Sequence, residues 1–122
     1  MVWHQALADY ATALMAARRS PGTLRVHRHY LHRLRAYVPQ PWRATTADLR
    51  AALAEPTWAP ETVKSARSVY VRFYGWGHGE GYITPNPALR LDPVTVPAGN
   101  RARHPTMYSP PAWPQPMPAS AS

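Results

Sequence analysis

Residues Ser20 to Val38 read SPGTLRVHRHYLHRLRAYV, and this stretch leaves the chain little choice of structure. Ser20 is suited to cap a helix, because its hydroxyl can accept from the free N–H groups of the first turn. Pro21 follows at the first helical position, where its missing N–H costs nothing. Leu24, His27, Leu31, Leu34 and Val38 then recur at steps of three and four. At 100° per residue they fall within about one third of a turn, the pattern of a helix buried on one side. The opposite side carries Arg25, His29, His32 and Arg33, with Arg28 and Arg35 on its margins. Residues 18 to 35 hold six Arg, three His and no acid. A helix so divided can bury one face and offer the other to a polyanion.

Proline and glycine cut the rest of the chain into similar lengths. A first helix is expected over Val2 to Arg19, with Trp3, Leu7, Tyr10 or Ala11, Leu14 and Met15 on its apolar side. Arg18 and Arg19 at its end would complement the helix dipole. Pro39 and Pro41 end the second helix, because proline cannot continue the hydrogen-bond ladder. Thr45 or Thr46 caps a short third helix, with Asp48 in its first turn and Leu49, Ala52 and Leu53 inward. Pro56 ends it, and Pro60-Glu61 opens a fourth. From Thr62 to Trp76 the inward positions are Thr62, Ala66, Val69, Phe73 and Trp76, flanked by Ser65 and Tyr70. Lys64, Arg67, Ser68 and Val71 lie opposite. Gly75, Gly77, Gly79 and Gly81 are expected to dissolve this helix, since glycine supplies left-handed caps and turns. Tyr82-Ile83 can fold back on the core, Pro85-Asn86-Pro87 forces a turn, and Ala88 to Leu91 is long enough for one helical turn. The expectation is an all-α fold, a compact four-helix orthogonal bundle over residues 1–91. A linker over 92–104 and a disordered Pro/Ala/Ser-rich tail over 105–122 follow from eight of the 15 prolines lying between Pro93 and Pro118.

Composition narrows the function. The 122 residues carry a net charge of +8 and a pI of about 10.6, which favours a polyanionic partner. Thirteen of the 14 basic residues are Arg, the bias of GC-rich coding DNA, and this says nothing about activity. Without cysteine there is neither a disulfide nor a zinc finger. No apolar run approaches the ~18 residues of a membrane span, and Asp9 interrupts the first apolar segment, so no signal peptide is expected. The protein is taken as cytoplasmic, with no membrane partner.

Chemistry-bearing patterns are few. The six acids, Asp9, Asp48, Glu55, Glu61, Glu80 and Asp92, are scattered and mostly at helix ends, where capping explains them. No pair is set to split two carboxylate pKa values. His29 and His32 could share a face, but no third ligand is near and the surrounding Arg would repel a cation. His27 belongs to the apolar stripe as a packed core histidine. The glycines fit neither GxGxxG nor GxxxxGK[ST]. No cofactor, metal, small-molecule substrate or catalytic nucleophile is expected. The basic rows of the second and fourth helices remain. Arg25, Arg28, Arg33, Lys64 and Arg67 can neutralise phosphates, and His29 and Ser68 can donate to phosphates or base edges. Four to six such contacts imply a log–log salt slope of roughly −4 to −5.

In this order the segments resemble the N-terminal core-binding (SAM-like) domain of the tyrosine recombinases, the phage integrase family. SPGTLRVHRHYLHRL is similar to the family's S-x-x-T-x-x-x-Y-x-x-x-L-x-x-F helix, with Thr23, His27, Leu31 and Leu34 at the marked positions and His27 in place of Tyr. ATTADLRAALA resembles its T-x-x-D-L-x-x-Y-L helix. ETVKSARSVYVRFYGWGHGEGYITPNPALRL resembles its fourth helix and G-x-I-x-x-N-P-A exit, with Gly81, Ile83, Asn86, Pro87 and Ala88 in place. The resemblance covers residues 2 to 97. It implies binding of double-stranded DNA in DNA integration and site-specific recombination, with the second and fourth helices toward the duplex. It also implies partners such as a full-length recombinase or other protomers on DNA, and backbone contacts from Arg101 and Arg103 in the linker. The catalytic motifs of the family are not recognisable, since His104 is not followed by an H-x-x-R pattern and Tyr108 stands among prolines. No enzymatic activity is therefore expected. The expected role is that of a truncated or remnant integrase, or of an accessory DNA-binding protein. A different reading is a regulatory module that binds proteins through the first helix and the P-x-x-P tail.

Overall fold

The computed structural model describes residues 1–96, and the part of the expected linker and tail over 97–122 lies outside the described residues. Four α-helices follow one another, with no strand among the described residues: α1 Trp3–Ala16, α2 Pro21–Leu34, α3 Thr46–Leu53 and α4 Pro60–Gly79. Two 3-10 turns, Pro41–Arg43 and Pro87–Arg90, complete the set. α2 packs between α1 and α4, while α3 and the Pro87–Arg90 turn pack against each other and against α4. α4 is thus the central element.

The helix starts follow the local chemistry. Ser20 Oγ accepts from Thr23 N at 3.2 Å and Pro21 occupies the first position of α2. Thr45 and Asp48 form a reciprocal capping box at α3, each side chain accepting from the other's backbone N–H at 3.1 Å. Pro60 opens α4. The ends depart from expectation in three places. α1 stops at Ala16 rather than Arg19, because Arg18 turns left-handed (φ 60°) and Arg19 N donates back to Leu14 O at 3.0 Å. α2 stops at Leu34 rather than Val38. The residue before a proline is driven out of the helical region, and Val38 precedes Pro39. Val38 stays buried, its carbonyl accepting from the Trp3 indole.

The largest departure is in α4, which does not dissolve at Gly75 but runs to Gly79. Only Gly81 (φ 82°) makes the left-handed turn. There Tyr82 N donates to Gly77 O at 2.9 Å and Gly81 N to His78 O at 3.1 Å, closing a Schellman cap. Gly77 serves packing instead. A Cβ at that position would overlap the Trp42 ring, whereas Gly75 and Gly79 face open space.

The core is an aromatic slab. Phe73 lies between Trp3 (5.6 Å, 17°) and Trp42 (5.0 Å, 14°), with Tyr10 edge-on at 5.1 Å. Trp76 and Tyr82 continue it from Trp42, at 6.0 and 5.2 Å. Leu31, Leu34 and Leu49 are fully buried beside it. The buried face of α4 is Ala66, Val69, Tyr70, Phe73, Tyr74 and Gly77. It is wider than the expected stripe and shifted from it. Tyr70 and Tyr74 are buried, Trp76 and Thr62 only half-buried, and Ser65 exposed. In α1 the inward residues are Trp3, Ala6, Tyr10 and Leu14, and Met15 is exposed. Beyond the Pro87–Arg90 turn the chain still packs, for Leu91 and Val96 are buried.

Candidate nucleic-acid interface

The fold turns the apolar stripe of α2 inward through His27, Leu31 and Leu34. Arg25, Arg28, His29, His32 and Arg33 are left exposed along its other side. Thr23 and Leu24, at the start, are half-buried. α2 contains no acid to neutralise this row. His29 rests edge-on against Tyr30 at 5.0 Å. Arg33 lies over the Trp58 ring, 5.4 Å from its centroid, a cation–π contact that keeps the guanidinium at the surface. A row of guanidinium and imidazole groups on one helix face can donate to several phosphate oxygens at once.

His27 points the other way. It is buried, and its Nδ1 pairs with the Tyr10 hydroxyl at 2.9 Å. Burial lowers its pKa below the ordinary 6.5, and the nearby Arg72 and Arg19 charges lower it further. The same burial pushes the Tyr10 phenol up to about 12. The pair is therefore neutral on both sides at physiological pH, a structural link between α1 and α2.

The expected row on α4 has a different fate. Lys64 and Ser68 are exposed, but Arg67 is half-buried. One Arg67 terminal nitrogen donates to Leu91 O at 3.0 Å, and its Nε is buried without a partner. Arg67 ties Leu91, the residue after the Pro87–Arg90 turn, to α4. Arg50 makes the corresponding contact from α3, donating to Arg90 O at 3.4 Å. Of the seven residues singled out in the sequence, α2 holds Arg25, Arg28, His29 and Arg33 together on one face, and α4 contributes Lys64 and Ser68 from its own surface.

Trp58 and Tyr70 were missed as neighbours of this row. Trp58 lies in the short loop ahead of α4, where helical periodicity says nothing of its direction. A tryptophan in a short loop between Pro56 and Pro60, too costly to leave in water, was the available signal. Among the described residues no three His, Cys, Asp or Glu come together to hold a metal ion. No helix is long and apolar enough to cross a membrane. No protein-family model, curated protein or solved structure matches the chain.

Proposed function

We propose that this chain is a DNA-binding domain of the kind found at the N-terminus of tyrosine recombinases, binding duplex DNA through the outward face of α2. The observation that carries the reading is the row Arg25, Arg28, His29 and Arg33, exposed on a helix whose other face is buried and which contains no acid. Lys64 and Ser68 of α4 add contacts, while Arg67 contributes by holding Leu91. Binding is mainly to phosphates, with limited base readout from His29 and Ser68. The order of four helices, the Thr45–Asp48 capping box and the Asn86-Pro87 turn, where Asn86 Oδ1 accepts from Ala88 N at 3.0 Å, support the likeness to the core-binding domain. The reading gives the chain no catalytic role of its own and places it in the cytoplasm beside a recombinase or further protomers.

Fluorescence anisotropy with a labelled random duplex of ~25 base pairs tests this. Micromolar binding at low salt, weakening with a log–log slope of about −4, is expected from four charged contacts. No binding at low salt would remove the reading and favour a protein-interaction module.

A further inference from the structure

Where the end of α2 meets the end of α3 and the α3–α4 loop, the surface opens into a cleft of about 290 Å³. His32, Arg33 and Tyr37 form one side, Glu55 and Trp58 the other, and Tyr70 of α4 the floor. Tyr70 has no exposed surface, and its hydroxyl has no hydrogen-bond partner. A buried donor left unpaired costs free energy and calls for a partner. Burial, with the neighbouring Tyr37, raises the Tyr70 pKa, so the group remains a neutral donor. Arg33 and Tyr37 beside it are exposed side chains, and their displacement by a ligand is what would open the buried hydroxyl to the cleft.

The walls define what fits. Trp58 is held edge-on by Tyr30 (5.8 Å, 86°) and covered on its ring by the Arg33 guanidinium. Aromatic rings and a guanidinium plane together are surfaces on which a planar base stacks. Arg33 and His32 supply positive charge for an anion. Glu55 is the one acid in the cleft, and its carboxylate is already engaged by Thr57, accepting from Oγ1 at 2.7 Å and from N at 3.2 Å. Those bonds hold its pKa below the usual carboxylate range. The volume lies near the ~300 Å³ lower end of small-ligand pockets, too small for a duplex.

We propose that this cleft takes one unstacked nucleotide, its base against Trp58 and Tyr37, its phosphate on Arg33 and His32, and a base carbonyl accepting from the Tyr70 hydroxyl. Arg33 belongs both to the cleft and to the outward row of α2, so a nucleotide leaving a strand held on α2 would reach it. That DNA is the source rests on the proposed function. A free mononucleotide offers the same chemistry.

The test uses the ¹⁵N-labelled full chain, with the Trp58 indole resonance identified by its loss in Trp58→Phe. Thymidine monophosphate at millimolar concentration and a short oligothymidylate are each titrated in. Both are expected to shift the Trp58 resonance, the oligomer at lower concentration. Tyr70→Phe is expected to weaken oligothymidylate binding about three- to tenfold while leaving duplex affinity unchanged. The double variant Arg25→Glu/Arg28→Glu is expected to lose duplex affinity but keep the mononucleotide shift, which separates failure of the cleft from failure of the duplex reading. A shift with the mononucleotide alone would make a free nucleotide the ligand and refute DNA as its source. No Trp58 shift with either, or full affinity in Tyr70→Phe, would overturn the proposal.

Discussion

α2 and α4 carry nearly the same sequence pattern, an apolar stripe opposed by basic residues, and the fold uses them differently. α2 packs on α1 and α4 through one face, so Arg25, Arg28, His29 and Arg33 stay exposed on the other. α4 is central. Helices α2 and α3 and the Pro87–Arg90 turn all pack on it, and its aromatic face widens to take in Tyr70, Tyr74 and Gly77. Arg67, which periodicity alone places outward, is drawn onto the carbonyl of Leu91. A basic residue set opposite an apolar stripe becomes a presented surface on one helix and a strut on the other. Position in the bundle decides which.

The aromatic slab on α4 is where a single substitution costs most. Phe73→Ala is expected to cost about 3–5 kcal/mol in denaturant unfolding, because Trp3, Trp42 and Tyr10 all lose their common neighbour. Gly77→Ala is expected to cost about 1–3 kcal/mol, since the added methyl must displace Trp42 or bend α4. Its controls are Gly75→Ala and Gly79→Ala, which meet nothing within 4 Å and are expected to stabilise the helix by about 0.5–1 kcal/mol.

The two arginine classes sharpen the contrast further. Arg67→Ala is expected to lower stability by about 1 kcal/mol through loss of the Leu91 contact. Arg25→Ala and Arg28→Ala are expected to change stability by less than about 0.5 kcal/mol, because these side chains are exposed. Thermal melts of the three variants, run side by side, check both.

The inner face of α2 has a pH signature of its own. His27 has its folded pKa below the ordinary value of 6.5, so on acidification the unfolded chain takes up the proton first. Stability is therefore present above pH 6.5 and lost as pH falls through that value toward the folded pKa. Melting temperature is expected to drop between pH ~7.5 and ~5.5, and His27→Gln, which can still bond Tyr10, is expected to flatten the drop.

Much of this was legible in the residues. Ser20-Pro21, Thr45–Asp48 and Pro60 marked three helix starts because capping and proline geometry are local. The stripe of α2 was legible because the helix buries a single face, and a single face shows as simple periodicity. The run of glycines misled, since glycine at Gly81 turns the chain while glycine at Gly77 admits a ring from the Pro41–Arg43 turn, and only the long-range contact with Trp42 tells them apart. Arg67 was misplaced for the same reason. Its partner is a backbone carbonyl 24 residues away, which no spacing rule contains.

The most direct measurement is duplex affinity, by anisotropy across a salt series, for the native chain and for Arg25→Glu/Arg28→Glu, with circular dichroism confirming equal helix content. Weaker binding at every salt concentration and a log–log slope reduced by about 2 are expected of the double variant. Native affinity and native slope in the double variant would contradict it, because the outward face of α2 would then not be where the duplex binds.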